Sequence, residues 1–158
     1  MTAHVTSKHL GLAVATASVL SLACSMSPVL ADDASREGTG HLIFDCTEYN
    51  GSPGSPCTIT SSNIPEIPVG TVVYHIQAAN IVPNLLDTSV VYDAGDGNRA
   101  TGHCLFDFVA LSGLCQLTDG TGQLAGFEAR FDMSSTTPPT YHADGPYRFK
   151  DIQHLRDS

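Results

Sequence analysis

The sequence predicts an all-β protein, a sandwich or a closed barrel. Apolar residues recur at every second position in several short runs, and clusters of Gly, Pro, Asn and Asp separate those runs. No stretch joins helix caps to a sustained 3.6-residue period. The runs are Leu42, Phe44 and Cys46; Val72, Tyr74, Ile76 and Ala78; Cys104, Phe106 and Phe108; Phe127, Ala129 and Phe131; and Tyr141, Ala143, Tyr147 and Phe149. Alternate side chains of a strand leave opposite faces, so these sets are expected to face inward. The opposite, polar face then holds His41, Ile43 and Asp45; Val73, His75 and Gln77; His103, Leu105 and Asp107; Glu128, Arg130 and Asp132; and His142, Asp144 and Arg148.

At the start of the chain, Lys8 precedes an uncharged run from Leu10 to Ala23, and Val29-Leu30-Ala31 offers small residues at the spacing a signal peptidase reads. Residues 1–31 are therefore expected to be a cleaved export signal, with Asp32 first in the mature chain. The alternative is a lipoprotein, acylated at Cys24 after Leu22-Ala23. The apolar run is shorter than the roughly 20 residues of a membrane span. Residues 32–40 are small and polar, as in a disordered lead-in. Order is expected over residues 41–150, and residues 151–158 form a flexible tail.

Turns are expected at Asn50-Gly51-Ser52-Pro53-Gly54-Ser55-Pro56, Ile64-Pro65-Glu66-Ile67-Pro68, Gly95-Asp96-Gly97-Asn98, Asp119-Gly120-Thr121-Gly122 and Thr137-Pro138-Pro139. The best helical stretch, Ala79 to Asp87, contains Pro83 and reads as a loop or a single turn.

Cysteine and charge bound the function. Apart from Cys24, the cysteines are Cys46, Cys57, Cys104 and Cys115, an even set that favours two disulfides in a secreted or periplasmic protein. Each of the pairs Cys46–Cys57 and Cys104–Cys115 brackets a segment able to fold back on itself. Crossed pairing instead requires particular strand neighbours. The net charge is −9, and every acidic residue follows the expected cut. That balance repels nucleic acid and anionic lipid, so neither is an expected partner.

The segment from Leu117 to Phe127, with Gly120, Thr121, Gly122 and Gly126, followed by an alternating strand and Gly145-Pro146-Tyr147-Arg148-Phe149, resembles the G-T-G-x-apolar-x-G hairpin of the allene oxide cyclase barrel group, which includes the dirigent proteins. The resemblance covers the hairpin region 117–149. It implies a small antiparallel β-barrel of about eight strands, allene oxide cyclase barrel-like or calycin-like, with an apolar cavity and often a trimeric assembly. No catalytic residue of the plant cyclases maps onto this chain.

Bottom-up, chemistry is sparse. His103 and Asp107 share a strand face, but four residues along a strand span roughly 13 Å, too far for a base and its orienting partner. His75, His103 and His142 converge on a metal only if their strands are neighbours, and no H-x-H or H-E-x-x-H spacing is present; no metal and no cofactor are expected. Asp93-Ala94-Gly95-Asp96-Gly97-Asn98 has the oxygen ligands of a calcium loop without the bidentate Glu, and reads better as a hairpin turn. Asn50-Gly51-Ser52 is a formal glycosylation sequon that also reads better as a turn. Nucleophile elbows and phosphate loops are absent.

Two functions remain. One is an exported barrel binding a small apolar molecule through Tyr74, Phe106, Phe108, Phe127, Phe131, Tyr141 and Tyr147, with a cyclase or isomerase activity as the further expectation. The other is a non-enzymatic structural or interaction protein of the envelope or extracellular space. Cavity volume separates them: a ligand site needs several hundred Å³, on the order of 300 or more.

Overall fold

The computed structural model describes residues 36–150. The expectations for the export signal, the cut before Asp32, Cys24 and the tail lie outside these residues. Eight antiparallel strands follow one another as neighbours and β1 closes on β8, giving an up-and-down barrel. The strands are β1 (Glu37–Asp45), β2 (Pro56–Ser62), β3 (Val72–His75), β4 (Leu85–Asp93), β5 (Arg99–Asp107), β6 (Ser112–Thr121), β7 (Phe127–Thr137) and β8 (Thr140–Phe149). Strand β1 thus starts at Glu37, four residues before His41, and includes residues 37–40, which were expected in the lead-in. Glu37 to Gly40 pair with Arg148 to Gly145, which gives the backbone of this polar segment its hydrogen-bond partners.

An eight-stranded barrel is just wide enough for side chains to fill it. Leu42, Ile59, Val73, Val90, Tyr92, Ala100, Leu117, Phe127, Phe131 and Ala143 all point inward with at most 2% of their surface exposed. Charged and polar residues occupy the outer wall, where His41 meets Asp144 at 2.6 Å, Arg148 meets Glu128 at 2.7 Å and Arg99 meets Asp93 at 2.8 Å. Such exposed pairs contribute little stability each, about 0–1 kcal/mol.

Strands β3 and β4 differ from the sequence expectation, and β6 runs on through Asp119-Gly120-Thr121, expected as a turn, with the chain turning at Gly122–Leu124 instead. β3 presents Val73 and His75 to the interior, while Tyr74 and Ile76, expected inside, lie outside at 36% and 44% exposure. Val72, Val73 and Tyr74 are all apolar, so the alternation is ambiguous over this short strand. Register with β2 and β4 decides its face, through Val73 opposite both Cys57 and Tyr92. Residues 85–87, expected in a loop or a single turn, instead open strand β4, with Leu86, Thr88, Val90 and Tyr92 inward.

Because successive connections of an up-and-down barrel alternate between its ends, the links β2–β3, β4–β5 and β6–β7 gather at one end, the base. Side chains from these links seal it. Ile64 and Ile67 of the first, and Leu124 of the 3-10 turn Gly122–Leu124 in the third, are at most 1% exposed. Arg36 stacks 3.8 Å over the Phe149 ring nearby. The hairpin that carries the family resemblance lies at this end. Gly122 (φ 61°) and Gly126 (φ 77°) are left-handed there. Gly120 serves a different need, because a side chain on it would run into the Leu124 carbonyl.

Candidate functional site

The opposite end, here the mouth, carries the links β1–β2, β3–β4, β5–β6 and β7–β8. Both disulfides lie on its walls, and both have the expected pairing: Cys46–Cys57 with Cα atoms 4.3 Å apart and Cys104–Cys115 with Cα atoms 4.1 Å apart. Cys104 and Cys115 are direct cross-strand partners in the β5–β6 ladder. Inside this stapled rim the packing is incomplete. A void of about 50 Å³ remains, lined by Phe44, Tyr49, Val73, His75, Leu86, Tyr92, Phe106, Phe108, Met133 and Tyr141 together with the four cysteines. Its walls share Tyr49 and Phe108 with an open depression of about 400 Å³ formed by Asn50, Gly51, Ala79, Asn80 and Asn84.

The β1–β2 link is held over the void by specific bonds. Asp45 accepts hydrogen bonds from the Thr47 amide and hydroxyl, which turns the chain after β1. The Tyr49 amide donates to the Cys46 carbonyl at 3.0 Å, and the Cys46 amide to the Pro139 carbonyl at 3.0 Å. Further along, the Gly54 amide donates to the His75 carbonyl at 2.6 Å and the His75 amide to the Ser55 carbonyl at 3.3 Å. The Ala79 amide donates to the Gly51 carbonyl at 2.9 Å, tying the β3–β4 link to this one. Tyr49 is thereby laid beside His75, with ring centroids 4.8 Å apart and planes at 56°.

The His75 ring and the hydroxyls of Tyr49, Tyr92 and Tyr141 are the polar groups of an otherwise apolar lining. His75 places Nδ1 3.2 Å from the Ser55 carbonyl oxygen, an acceptor, so the neutral ring carries its proton on Nδ1 and Nε2 is an acceptor. Burial pushes the His75 pKa down, favouring that neutral ring, although the Ser55 carbonyl works in the opposite direction. The Tyr49 hydroxyl is buried without a hydrogen-bond partner. Burial, and then the neighbouring Tyr141, push its pKa up, so the phenol is neutral and remains a donor. Burial likewise raises the pKa of Tyr141 and of fully buried Tyr92.

Of the seven aromatics expected to hold a ligand, Phe106, Phe108 and Tyr141 meet at the void, with the Phe106 ring centroid 5.5 Å from Phe108 and 5.3 Å from Tyr141. Phe127 and Phe131 are fully buried in the core, and Tyr147 packs against Phe127 and Phe149. Tyr74 is on the outer wall. Phe44, Tyr49, His75, Leu86, Tyr92 and Met133 line the void without having been in that set. Phe44 was legible as an inward residue of the first run. Tyr49 sits among turn residues, where no period marks a face.

The remaining constellations resolve into structural roles. His103 contacts Asp87 of the adjacent strand at 2.7 Å, and Asp107 accepts from the amides of Val109 and Ala110 in the β5–β6 turn. His75 points inward while His103 lies on the outer wall, so the three histidines do not converge, and among the described residues no group of metal-ligating side chains forms. Asp93 accepts from the Gly95 amide and pairs with Arg99, as a hairpin turn requires. Comparison with protein-family models, with curated proteins and with solved structures gives no match.

Proposed function

We propose that this is an exported, non-catalytic barrel that binds a small, neutral, largely apolar molecule at its mouth. The observation that carries the reading is the unfilled aromatic void, which shares its rim with an open depression. A ligand can seat one end in the void and lay its body over Tyr49 and Phe108. Such half-inserted binding accommodates a volume of about 50 Å³, far below the ~300 Å³ or more that would enclose a whole small molecule. It argues against the cyclase or isomerase expectation, since a reacting chain held in one conformer must be surrounded. Neutrality follows from burial in an apolar lining without a counter-charge, in a protein of net charge −9. Export is supported by the two disulfides. The relationship to the allene oxide cyclase barrel group rests on the hairpin motif, and the closed eight-stranded barrel agrees with it.

One further observation favours a second reading, a structural or interaction protein. Ile76, Ile81, Val82 and Val109, 44–76% exposed, project from the mouth end and offer apolar contacts to a partner surface. Native mass spectrometry of protein purified from its source separates the two. A ligand-binding barrel carries a neutral adduct that is lost on collisional activation. A mass equal to the polypeptide with two disulfides, in repeated gentle preparations, contradicts the proposal and leaves the second reading.

A further inference from the structure

The links at the mouth present apolar side chains at their tips and carboxylates around them, with no lysine or arginine among them. We infer that the mouth rim is a docking surface for a basic, amphipathic protein segment, one that lays apolar side chains against Ile81, Val82 and Val109 and brings lysines or arginines to the surrounding carboxylates. This rests on the second reading above, whose partner it specifies. It does not depend on what fills the void, because none of these three residues lines it.

The tips are held in place by the backbone. In the β3–β4 link the Asn80 amide donates to the Leu85 carbonyl at 3.0 Å, and the Leu85 amide to the Val82 carbonyl at 3.1 Å. The Phe108 amide donates to the Asn84 carbonyl at 2.9 Å, which sets the β5–β6 turn and its Val109 beside this link. Ile81 and Val109 are 76% and 74% exposed, on turns that need little further ordering to bind. Charge then selects the partner. Among the described residues the lysines and arginines are Arg36, Arg99, Arg130, Arg148 and Lys150. Arg36, Arg148 and Lys150 lie at the base, Arg99 opens β5 there, and Arg130 is nearer the base end of β7 than its mouth end. The mouth links and the strand ends that enter them hold Asp45, Glu48, Asp87 and Asp107 instead. Asp45 is kept ionised by the Thr47 hydroxyl and amide, and Asp107 by the Ala110 and Val109 amides. Asp87 contacts only a histidine, His103 at 2.7 Å, and Glu48 is exposed. A rim that is negative around an apolar centre is complementary to a basic segment with one apolar face. A second copy set mouth to mouth would oppose carboxylate to carboxylate, and a neutral or anionic bilayer offers these carboxylates no cation.

The test titrates the oxidised protein, by calorimetry and NMR, with a peptide of leucine and lysine patterned as an amphipathic helix. A leucine–glutamate counterpart and a glycine–lysine peptide of equal charge are the controls. The leucine–lysine peptide should bind, shift the resonances of Ile81, Val82 and Val109, and bind more weakly as salt is raised. Ile81→Ser and Val109→Ser, both at exposed turn positions, should each weaken it about tenfold, on the scale of one aliphatic side chain buried at an interface. Glu48→Gln should weaken it about threefold, as for one exposed ion pair, and Asp96→Asn in the base turn should leave it unchanged. Equal binding of the leucine–glutamate peptide would refute selection of a basic partner and leave the apolar rim as an interaction surface. Equal binding of the glycine–lysine peptide, or binding indifferent to Ile81→Ser and Val109→Ser, would refute docking at the rim and attribute the binding to net charge alone. Pelleting with phosphatidylcholine vesicles, or a dimer that Ile81→Ser dissociates, would overturn the basic partner in favour of a bilayer or a second copy. Failure of all three peptides, with neither pelleting nor self-association, would remove the second reading as well.

Discussion

Replacing the cysteines pair by pair measures what the staples contribute and whether the mouth depends on them. Each disulfide closes a loop with a sequence separation of 11, so the chain-entropy contribution is about the same for both, near 2.8 kcal/mol. The packing contribution differs. Cys104 and Cys115 are buried at 4% and 2% exposure, while Cys57 is buried and Cys46 only half-buried. Each buried sulfur lost to alanine adds about 1 kcal/mol, on the scale of one deleted methylene. The Cys104→Ala/Cys115→Ala double variant should therefore lose about 5 kcal/mol, and Cys46→Ala/Cys57→Ala about 4 kcal/mol. A domain of this length has roughly 6–17 kcal/mol in total, so removing both staples should leave little folded protein. Urea unfolding followed by far-UV circular dichroism, extrapolated to water, gives the values. Loss of less than about 1 kcal/mol from both double variants would refute the idea that these bridges restrain the unfolded chain.

Other consequences are as concrete. A methyl group on Gly40 would lie 2.7 Å from Ile64 Cδ1 and 2.8 Å from Phe131 Cε1, so Gly40→Ala should cost about 1–3 kcal/mol in chemical denaturation. Adding Ile64→Val, which deletes the first of those clashing atoms, should recover part of the loss; no recovery would mean that the base is not sealed by this contact. Gly126→Val forces a β-branched residue to φ 77° and should also cost on the order of 1–3 kcal/mol; an unchanged melting temperature would count against a required left-handed bend there. Burial lowers the His75 pKa below its unfolded value of 6.5, so the unfolded chain takes up the proton first as pH falls. Stability attributable to His75 is then complete above about pH 6.5 and declines below it, and His75→Phe should flatten that part of the melting profile. A separate decline near pH 4 and below should persist in the variant. It arises from Glu128, held ionised by Lys150 and Arg148, from Asp107, held by the Ala110 and Val109 amides, and from Asp93, held by the Gly95 amide and Arg99. Their lowered pKa values give stability that is present above the unfolded values and lost as pH falls through the folded ones.

The barrel was legible where one face is apolar and the other polar, as in Cys104-Leu105-Phe106-Asp107 or Phe127-Glu128-Ala129-Arg130. There, period two settles which residues enter the core. The two disulfides were legible because each pair brackets a segment that folds back on itself, which makes Cys104 and Cys115 cross-strand partners and brings Cys46, just after β1, to Cys57 at the start of β2. β3 was not, since Val72, Val73 and Tyr74 give no contrast between faces and the neighbours' register decides. β4 was hidden by Pro83 and by Thr88, a polar residue at an inward position, whose hydroxyl reaches Gln77 Oε1 at 3.0 Å. The mouth suffered most. His75 belongs to the strand whose faces were exchanged, and Tyr49 reaches the void from a loop whose position depends on hydrogen bonds to β3 and to the β7–β8 turn. Phe127 and Phe131 show the opposite limit: an inward aromatic in a barrel is far more often core than ligand contact.

Intermolecular nuclear Overhauser effects from cyclohexanol to the oxidised protein test most directly whether the mouth is the binding site. A ligand seated there gives effects to Tyr49, Phe108, Met133 and Tyr141 and none to Leu124 or Ile67 at the sealed base. Effects confined to the base, to Tyr74 and Ile76 on the outer wall, or to no residue at all would contradict binding at the mouth.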